Sequence, residues 1–195
     1  MQRTRLAEGN LANDLLHPWA LEADPKVKER NRYINVQAFA NCRIHLRVAE
    51  GECDFINASP ITLEDSVTGE GRKYIATQVG CAFGINHMRF CLPINQGPKL
   101  GHLADFWHMV FHESKEVGVI VMLTQTFEAG REKCAQYFPL DTEQASMVLL
   151  ADESDVLFDE SGQTEPGVLG RVTLLESTFD AKSRSEIRKL ELAIG

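Results

Sequence analysis

The sharpest change from apolar to polar positions lies in the middle of the chain. Residues 117–123 form an apolar, β-branched run with the length and composition of a buried strand. A charged loop follows from Glu128 to Lys133, with Gly130 inside it, and Cys134 then begins a second, largely apolar stretch. Strands that end in polar loops often place side chains at a site. The junction is therefore a candidate functional loop, and a solvated surface loop is the alternative.

Helical patterns occur near the start of the chain and again after residue 100. Leucines at helical spacing predict a helix over residues 4–17, and an apolar stretch predicts another over Leu103–Glu113. The polar residues 24–32 begin with Asp24, a candidate N-cap, followed by Pro25 at the first helical position. This start favours a further short helix.

Short runs of alternating apolar and polar residues predict the strands. Residues 50–52 and 68–71 contain glycines and fit hairpin turns between the first of them. The predicted strands are residues 43–48, 53–61, 73–78, 117–124, 146–150, 171–179 and 185–194. Antiparallel strands with a few helices make an α+β architecture.

Length and charge fit one domain with an acidic region. The 195 residues, of which 44% are hydrophobic, suffice for one sizeable core. The net charge of −8 comes from residues 141–165, which include eight acidic residues and no basic one. Residues 141–168 are therefore predicted to be an exposed acidic loop region, with an acidic binding arm as the alternative. A basic patch of the kind that binds nucleic acid is missing from the sequence.

The sequence lacks the signals of secretion and membrane insertion. Its N-terminal residues are charged and have no apolar core like that of a signal peptide. No run approaches the roughly 18 apolar residues that a membrane span needs. Five cysteines, an odd number without paired spacing, suit reduced thiols. We therefore expect a cytoplasmic protein without membrane contact, and the sequence leaves its oligomeric state open.

Several blocks of the chain, in order, resemble the protein tyrosine phosphatases. They are NRY (31–33), CRIHL (42–46), DFINAS (54–59), YIATQ (74–78), DFWHMV (105–110) and IVMLTQTFEAGREKCAQYFP (120–139). The resemblance implies one truncated domain over residues 1–195, with an α+β fold, a mixed, largely antiparallel twisted sheet, flanking helices and the C-terminal half missing. In the family, a strand from the missing half lies inside the sheet. Its loss would leave backbone groups unpaired, so we expect a marginally stable, aggregation-prone protein.

One block is interrupted by extra residues. In the family, Tyr-Ile-Ala-Thr-Gln runs directly into Gly-Pro, whereas here Gln78 and Gly97 are separated by the 18 residues 79–96. We interpret this segment as an intron retained in frame; a genuine loop insertion is the alternative. Its apolar residues follow no clear period, so we expect it to pack poorly.

The resemblance implies hydrolysis of phosphotyrosine through a cysteinyl-phosphate intermediate. That chemistry needs a thiolate at a helix N-terminus within Cys-x-x-x-x-x-Arg, and an aspartic acid within Trp-Pro-Asp. None of the five cysteines has an arginine six positions later, and the residues after Trp19 and Trp107 are Ala20 and His108. We therefore expect the chain to be inactive as it stands.

The remaining family positions concern substrate recognition and loop support. Arg32, Tyr33 and Asn35 are the candidate substrate-binding residues, and Tyr33 matches the aromatic residue that lines the phosphotyrosine slot. Asn35 stands where the family usually has an aspartate that binds the substrate backbone, which weakens this role. Glu128 matches the acid that orients the phosphate-binding arginine, and Lys133 the lysine near the general acid. The implied partner is a phosphotyrosine protein or peptide. The alternative function is a pseudophosphatase-type module that binds such peptides without hydrolysis.

Other polar groupings fit metal binding poorly. His108 and His112 are four apart on a predicted helix, a spacing that allows two imidazoles to share a metal, but no third ligand is placed. Cys81, His87 and Cys91 lack zinc-finger spacing. Cys134 matches a buried, unreactive family cysteine. We expect neither a metal nor a cofactor.

Overall fold

The computed structural model describes residues 17, 20–33, 36–77, 81–82, 98–123, 125–128, 130–150, 156–157 and 167–195. The chain splits into two compact units, Met1–Lys99 with Ser114–Cys134, and Leu100–Glu113 with Ala135–Gly195. All but the last residue of the helix predicted over residues 4–17, together with Asn35 and most of the 79–96 segment, lies outside the described residues. Within the described part, no helix is long and apolar enough to cross a membrane.

The first unit begins with helix α1, Pro25–Arg30. The Asp24 side chain accepts a hydrogen bond from the Lys26 amide at 2.8 Å, which confirms the predicted N-cap. The helix ends two residues before the predicted boundary because Asn31 is extended and only caps it. A short 3-10 helix, Ala40–Cys42, follows.

The first unit contains a four-stranded antiparallel sheet and a separate hairpin. The sheet order is β1-β2-β3-β4. The strands are β1 Ala58–Glu64, β2 Gly71–Thr77, β3 Cys81–Ala82 and β4 Val121–Met122. The hairpin pairs β5, Phe127–Glu128, with β6, Arg131–Glu132. The predicted strand over residues 43–48 forms only an isolated antiparallel bridge, between His45 and Phe55. Phe55 lies in the predicted strand 53–61, but the observed strand β1 begins only at Ala58.

The prediction of a buried strand over residues 117–123 is wrong. Only Val121–Met122 is a strand, and both residues are half-buried. Val117 is 80% exposed and Leu123 is 48% exposed. Among the described residues, Val121 and Met122 pair with Ala82 and Cys81 of β3, and these are the pairings described for this run.

The second unit combines helix α2, Leu103–Glu113, with another antiparallel sheet. The sheet order is β10-β9-β7-β8. Its strands are β7 Ser146–Leu150, β8 Val156–Leu157, β9 Val168–Asp180 and β10 Ser185–Ile194. The 141–168 region is thus not a loop throughout, since it contains β7 and β8. The helix buries Trp107, whose indole N–H donates to the Tyr137 carbonyl at 2.7 Å.

These elements confirm the predicted α+β fold class. The strand pairings among the described residues are all antiparallel. The expected mixture with parallel strands is therefore not seen in this part of the chain.

Candidate functional site

The loop that carries Arg32 and Tyr33 leaves α1 in a direction set by side-chain amides. The buried Asn31 donates from Nδ2 to the Val27 carbonyl at 2.9 Å, one turn back in the helix. Its Oδ1 accepts from Asn57 Nδ2 at 2.5 Å. A side chain bonded both to the helix and to a neighbouring segment fixes the exit of the chain from α1.

Asn57 also holds the far side of the same loop. Its Nδ2 donates to the Val36 carbonyl at 2.7 Å, and its Oδ1 accepts from the Ala38 amide at 3.0 Å. The Val36 amide in turn donates to the Tyr33 carbonyl at 3.3 Å. One amide side chain therefore pins residues on both sides of Tyr33. Tyr33 itself is half-buried.

Arg32 bridges this loop to the β5–β6 hairpin. Its Nη2 lies 3.3 Å from Glu132 Oε1 and donates to the Pro98 carbonyl at 3.1 Å, while Nη1 donates to the Glu132 carbonyl at 3.4 Å. The Arg32 side chain is only 15% exposed. Both terminal nitrogens of Arg32 thus donate to protein oxygens, which ties the loop to Pro98 and Glu132.

The hairpin presents its two acids on opposite faces. Glu132 lies opposite Phe127 in the register, and Glu128 lies opposite Arg131. Because directly opposed residues in an antiparallel pair share a face, Glu132 and Glu128 point to different sides. Gly130 has φ +73°, the left-handed conformation that a tight turn requires and that glycine adopts without strain.

Lys133 and Cys134 follow the hairpin and are anchored by their backbone. Both amides donate to the Thr126 carbonyl, at 2.8 and 3.3 Å. Lys133 is half-buried, and Cys134 is 1% exposed, as predicted for an unreactive cysteine. Cys42 is an exposed free thiol at the end of the 3-10 helix, and Cys53 is a partly exposed one.

A second charged cluster supports the segment before β1. The buried Arg43 forms an ion pair with Glu22, and its Nη2 lies 2.6 Å from Asp54 Oδ1. His45 Nδ1 lies 2.6 Å from Asp54 Oδ2. Burial raises the pKa of Asp54, but hydrogen bonds from His45 and Arg43 outweigh it and hold this pKa below its usual value. The cluster is a structural clamp rather than a reactive site.

The helix brings the two candidate metal ligands together without a third. The ring centroids of His108 and His112 are 4.4 Å apart, edge to face. In the part of the chain that the structure describes, no group of three or more His, Cys, Asp or Glu side chains is arranged to hold a metal ion.

The structure places the predicted site residues in three groups: on the loop after α1, outside the described residues, and on or after the β5–β6 hairpin. Tyr33 and Arg32 lie on one braced loop, whereas Asn35 falls outside the described residues. Glu128 is exposed on the hairpin and Lys133 is anchored after it. The sequence analysis did not identify Asn57 or Glu132 as site residues, although each lies in a segment that resembles the family. Asn57 belongs to DFINAS (54–59), and Glu132 belongs to the charged loop 128–133.

Comparisons with known proteins agree on one family. The family model described as protein-tyrosine phosphatase matches residues 27–189. Tyrosine-protein phosphatase 2 of Schizosaccharomyces pombe is 37% identical over 136 residues, covering 68% of this chain and 16% of that protein. Tyrosine-protein phosphatase 1 of Saccharomyces cerevisiae is 34% identical over 127 residues, covering 62% of this chain and 32% of that protein. The chain thus spans a third or less of the length of these curated relatives.

A solved structure supports the fold independently. The structure of PTPN18 in complex with HER2 phosphopeptides matches with a TM-score of 0.52 at 23% identity, over 88% of this chain and 45% of that one. This likeness shows the fold alone. The family model, in contrast, covers more than half of the chain, and the chain therefore belongs to the protein-tyrosine phosphatase family.

Proposed function

We propose that this chain supplies the phosphotyrosine-recognition part of a protein tyrosine phosphatase domain and does not hydrolyse phosphate esters by itself. The observation that carries the proposal is the braced loop: Asn57 holds both sides of Tyr33, and Arg32 ties the loop to Glu132. A loop held in this way loses little further entropy when a ligand binds. The half-buried Tyr33 ring then offers an aromatic face to the ring of a phosphotyrosine.

The cysteines support the second half of the proposal. Thiolate chemistry at neutral pH needs a helix N-terminus or a neighbouring cation. Cys134 is buried, Cys42 ends a 3-10 helix rather than starting a helix, and neither has an arginine six positions later. Family activity on phosphotyrosine therefore requires groups that these 195 residues do not contain.

The ligand class that we propose is a phosphotyrosine protein or peptide, within tyrosine-phosphorylation signalling. PTPN18, the structural neighbour, was solved with phosphopeptides. We place the protein in the cytoplasm, because Cys42, Cys53 and Cys134 are free thiols and reduced cysteines suit that compartment.

A second candidate function is a pseudophosphatase-type module that binds phosphotyrosine peptides tightly without hydrolysing them. It is favoured by the same bracing of the Tyr33 loop, which holds the loop ready for a ligand even without catalytic groups. It is opposed by the occupied Arg32 guanidinium, since phosphate capture usually depends on a forked arginine.

Two assays distinguish these functions. Hydrolysis of p-nitrophenyl phosphate is measured against a buffer blank, and a phosphotyrosine peptide and its unphosphorylated form are titrated by calorimetry. We expect no turnover and only weak binding, which Tyr33→Ala abolishes and Tyr33→Phe preserves because the ring remains. Micromolar, phosphate-dependent binding without turnover would favour the second function. Turnover above the blank would contradict both.

We also infer that residues 79–96 are an addition to the family domain, retained from an intron. The support is the uninterrupted family block that results when these residues are removed, joining Gln78 to Gly97. Transcript reads across this junction test the inference. Reads that join the two codons directly are expected, whereas transcripts that all contain the segment would contradict it.

A further inference from the structure

The C-terminal end of α1 is capped partly from outside the helix. The last carbonyl groups of a helix have no partner within the helix and find one elsewhere. Asn31 supplies two of these partners: its side chain donates to the Val27 carbonyl at 2.9 Å, and its amide donates to the Lys28 carbonyl at 3.3 Å. The Glu29 carbonyl accepts from Lys99 Nζ at 2.8 Å. A lysine 70 positions further along the chain thus completes the cap.

The segment that carries this lysine and the end of α1 exchange contacts in both directions. Arg32 Nη2 donates to the Pro98 carbonyl at 3.1 Å, and the next residue, Lys99, donates back to Glu29. The Arg32 side chain is 15% exposed and Pro98 is buried, whereas Lys99 is exposed. All four residues belong to the first unit. Because the two bonds start from opposite segments, together they restrict how residues 29–32 slide or turn against residues 98–99.

The charge of Lys99 suits its position. The C-terminal end of a helix carries a partial negative charge, which a nearby cation stabilises. Lysine side chains close to this end also bond the last carbonyls directly, and a charged donor makes such a bond stronger. Lys99 follows the Gly97-Pro98 pair and lies in none of the blocks that resemble the family. The resemblance therefore implies no role for it.

We propose that Lys99 is a positioning residue for phosphotyrosine recognition, because it caps α1 and thereby holds the Tyr33 loop in the conformation that receives the ligand. Tyr33 follows the capped carbonyl of Glu29 by four residues, so a shift at the end of α1 is passed on to the aromatic ring. A loop that must first be ordered binds its ligand more weakly. The inference rests on the proposed recognition of phosphotyrosine at Tyr33.

Substitution of Lys99 in the full chain tests this role without a ligand. Lys99→Met keeps an unbranched apolar side chain and removes both the charge and the donor. In the free protein, the amides of Asn31 and Val36, which bond to carbonyls at the end of α1 and in the Tyr33 loop, should exchange about two- to fivefold faster. Lys99→Arg keeps the charge and the donor and should restore wild-type exchange. Lys115→Met, an equal charge change at another exposed lysine, should leave exchange at both amides unchanged.

NMR titration with a phosphotyrosine peptide measures the effect on recognition. Lys99→Met should weaken peptide binding by a similar factor of about two to five, and Lys99→Arg should preserve the wild-type affinity. The ring signals of Tyr33 should shift in Lys99→Met before any peptide is added, because the loop itself has moved. The ring signals of Tyr137, in the second unit, should stay in place and serve as the internal reference.

The other outcomes overturn the proposal in distinguishable ways. Unchanged exchange at Asn31 and Val36 in Lys99→Met would show that Lys99 does not hold the loop. Weaker peptide binding with unchanged exchange would assign Lys99 to direct contact with the phosphate. A Lys99→Arg protein that behaves like Lys99→Met would contradict capping. A wild-type protein that binds no peptide would refute the proposed function, and with it the recognition role of Lys99, even where exchange shows that Lys99 caps α1.

Discussion

Replacing Asn57 should weaken the brace around the Tyr33 loop and loosen the loop itself. Asn57→Ala removes three hydrogen bonds, to the Asn31 side chain, the Val36 carbonyl and the Ala38 amide. A hydrogen bond of this kind contributes about 1 kcal/mol net, and a buried group left without its partner costs about 1–3 kcal/mol. Because Asn31 is buried, we expect a loss of about 2–4 kcal/mol in the free energy of unfolding.

The effect is measured in two ways: urea unfolding reports the stability of the whole protein, and hydrogen exchange reports the stability of individual amides. At a urea slope of about 2 kcal/mol/M, this loss lowers the unfolding midpoint by about 1–2 M. Hydrogen exchange should accelerate at the Ala38 amide, which bonds directly to Asn57, and at the Val36 amide, which closes the loop onto Tyr33.

Two further variants show whether the hydrogen bonds, rather than the volume of the side chain, carry the effect. Asn57→Asp keeps the shape and the acceptor for Ala38 but sets a carboxylate against the Asn31 and Val36 oxygens, so it should destabilise at least as much as alanine at neutral pH. Asn41→Ala, which removes one exposed bond to the His17 carbonyl, should cost less than about 1 kcal/mol. An Asn57→Ala protein within about 0.5 kcal/mol of wild type, with unchanged exchange at Ala38, would refute the reasoning.

Two charged contacts give further predictions. Glu132→Gln removes the charge beside Arg32; because this pair is partly exposed, the free energy of unfolding should fall by about 0.5 kcal/mol at low salt, and the difference should close in 0.5 M NaCl. A deficit that ignores salt would contradict an ionic origin. Asp54→Asn removes the carboxylate that contacts Arg43 and His45. Since the folded-state pKa of Asp54 lies below its usual 3.8, its stabilisation is present above that pH and lost as the pH falls through the folded value. Urea titrations from pH 6 to pH 2.5 should therefore show the variant's deficit shrinking with acid, and a constant deficit would argue against the shift.

Sequence periodicity predicted elements well where local pattern and tertiary packing agree. The bounds of Leu103–Glu113, Ser146–Leu150 and Ser185–Ile194 match the predicted ones. The helix buries the side that contains Leu103, Phe106 and Val110, and each of the two strands is paired along its length with β9. Residues 117–123 were predicted less well, because local pattern does not show that only Val121 and Met122 find partners among the described strands and that Val117 and Leu123 are exposed.

In the candidate site, too, features that depend on nearby residues could be predicted, whereas contacts between residues far apart in sequence could not. The hairpin at Gly130 and the position of Tyr33 after α1 follow from nearby residues and from the family blocks. The contact between Arg32 and Glu132 joins residues 100 positions apart, so no local pattern encodes it. The role of Asn57 likewise depends on the approach of two segments, which becomes visible only in the folded chain.

The place of β3 between β2 and β4 has a consequence for any shorter version of this protein. Adjacent strands are about 4.8 Å apart, so β3 holds its two neighbours about 10 Å from each other. A polypeptide translated without residues 79–96 would have to draw β4 toward β2 by one strand width to pair them directly. Val121–Met122 would then lie directly beside Gly71–Thr77. The shorter product should thus pair β2 directly with β4.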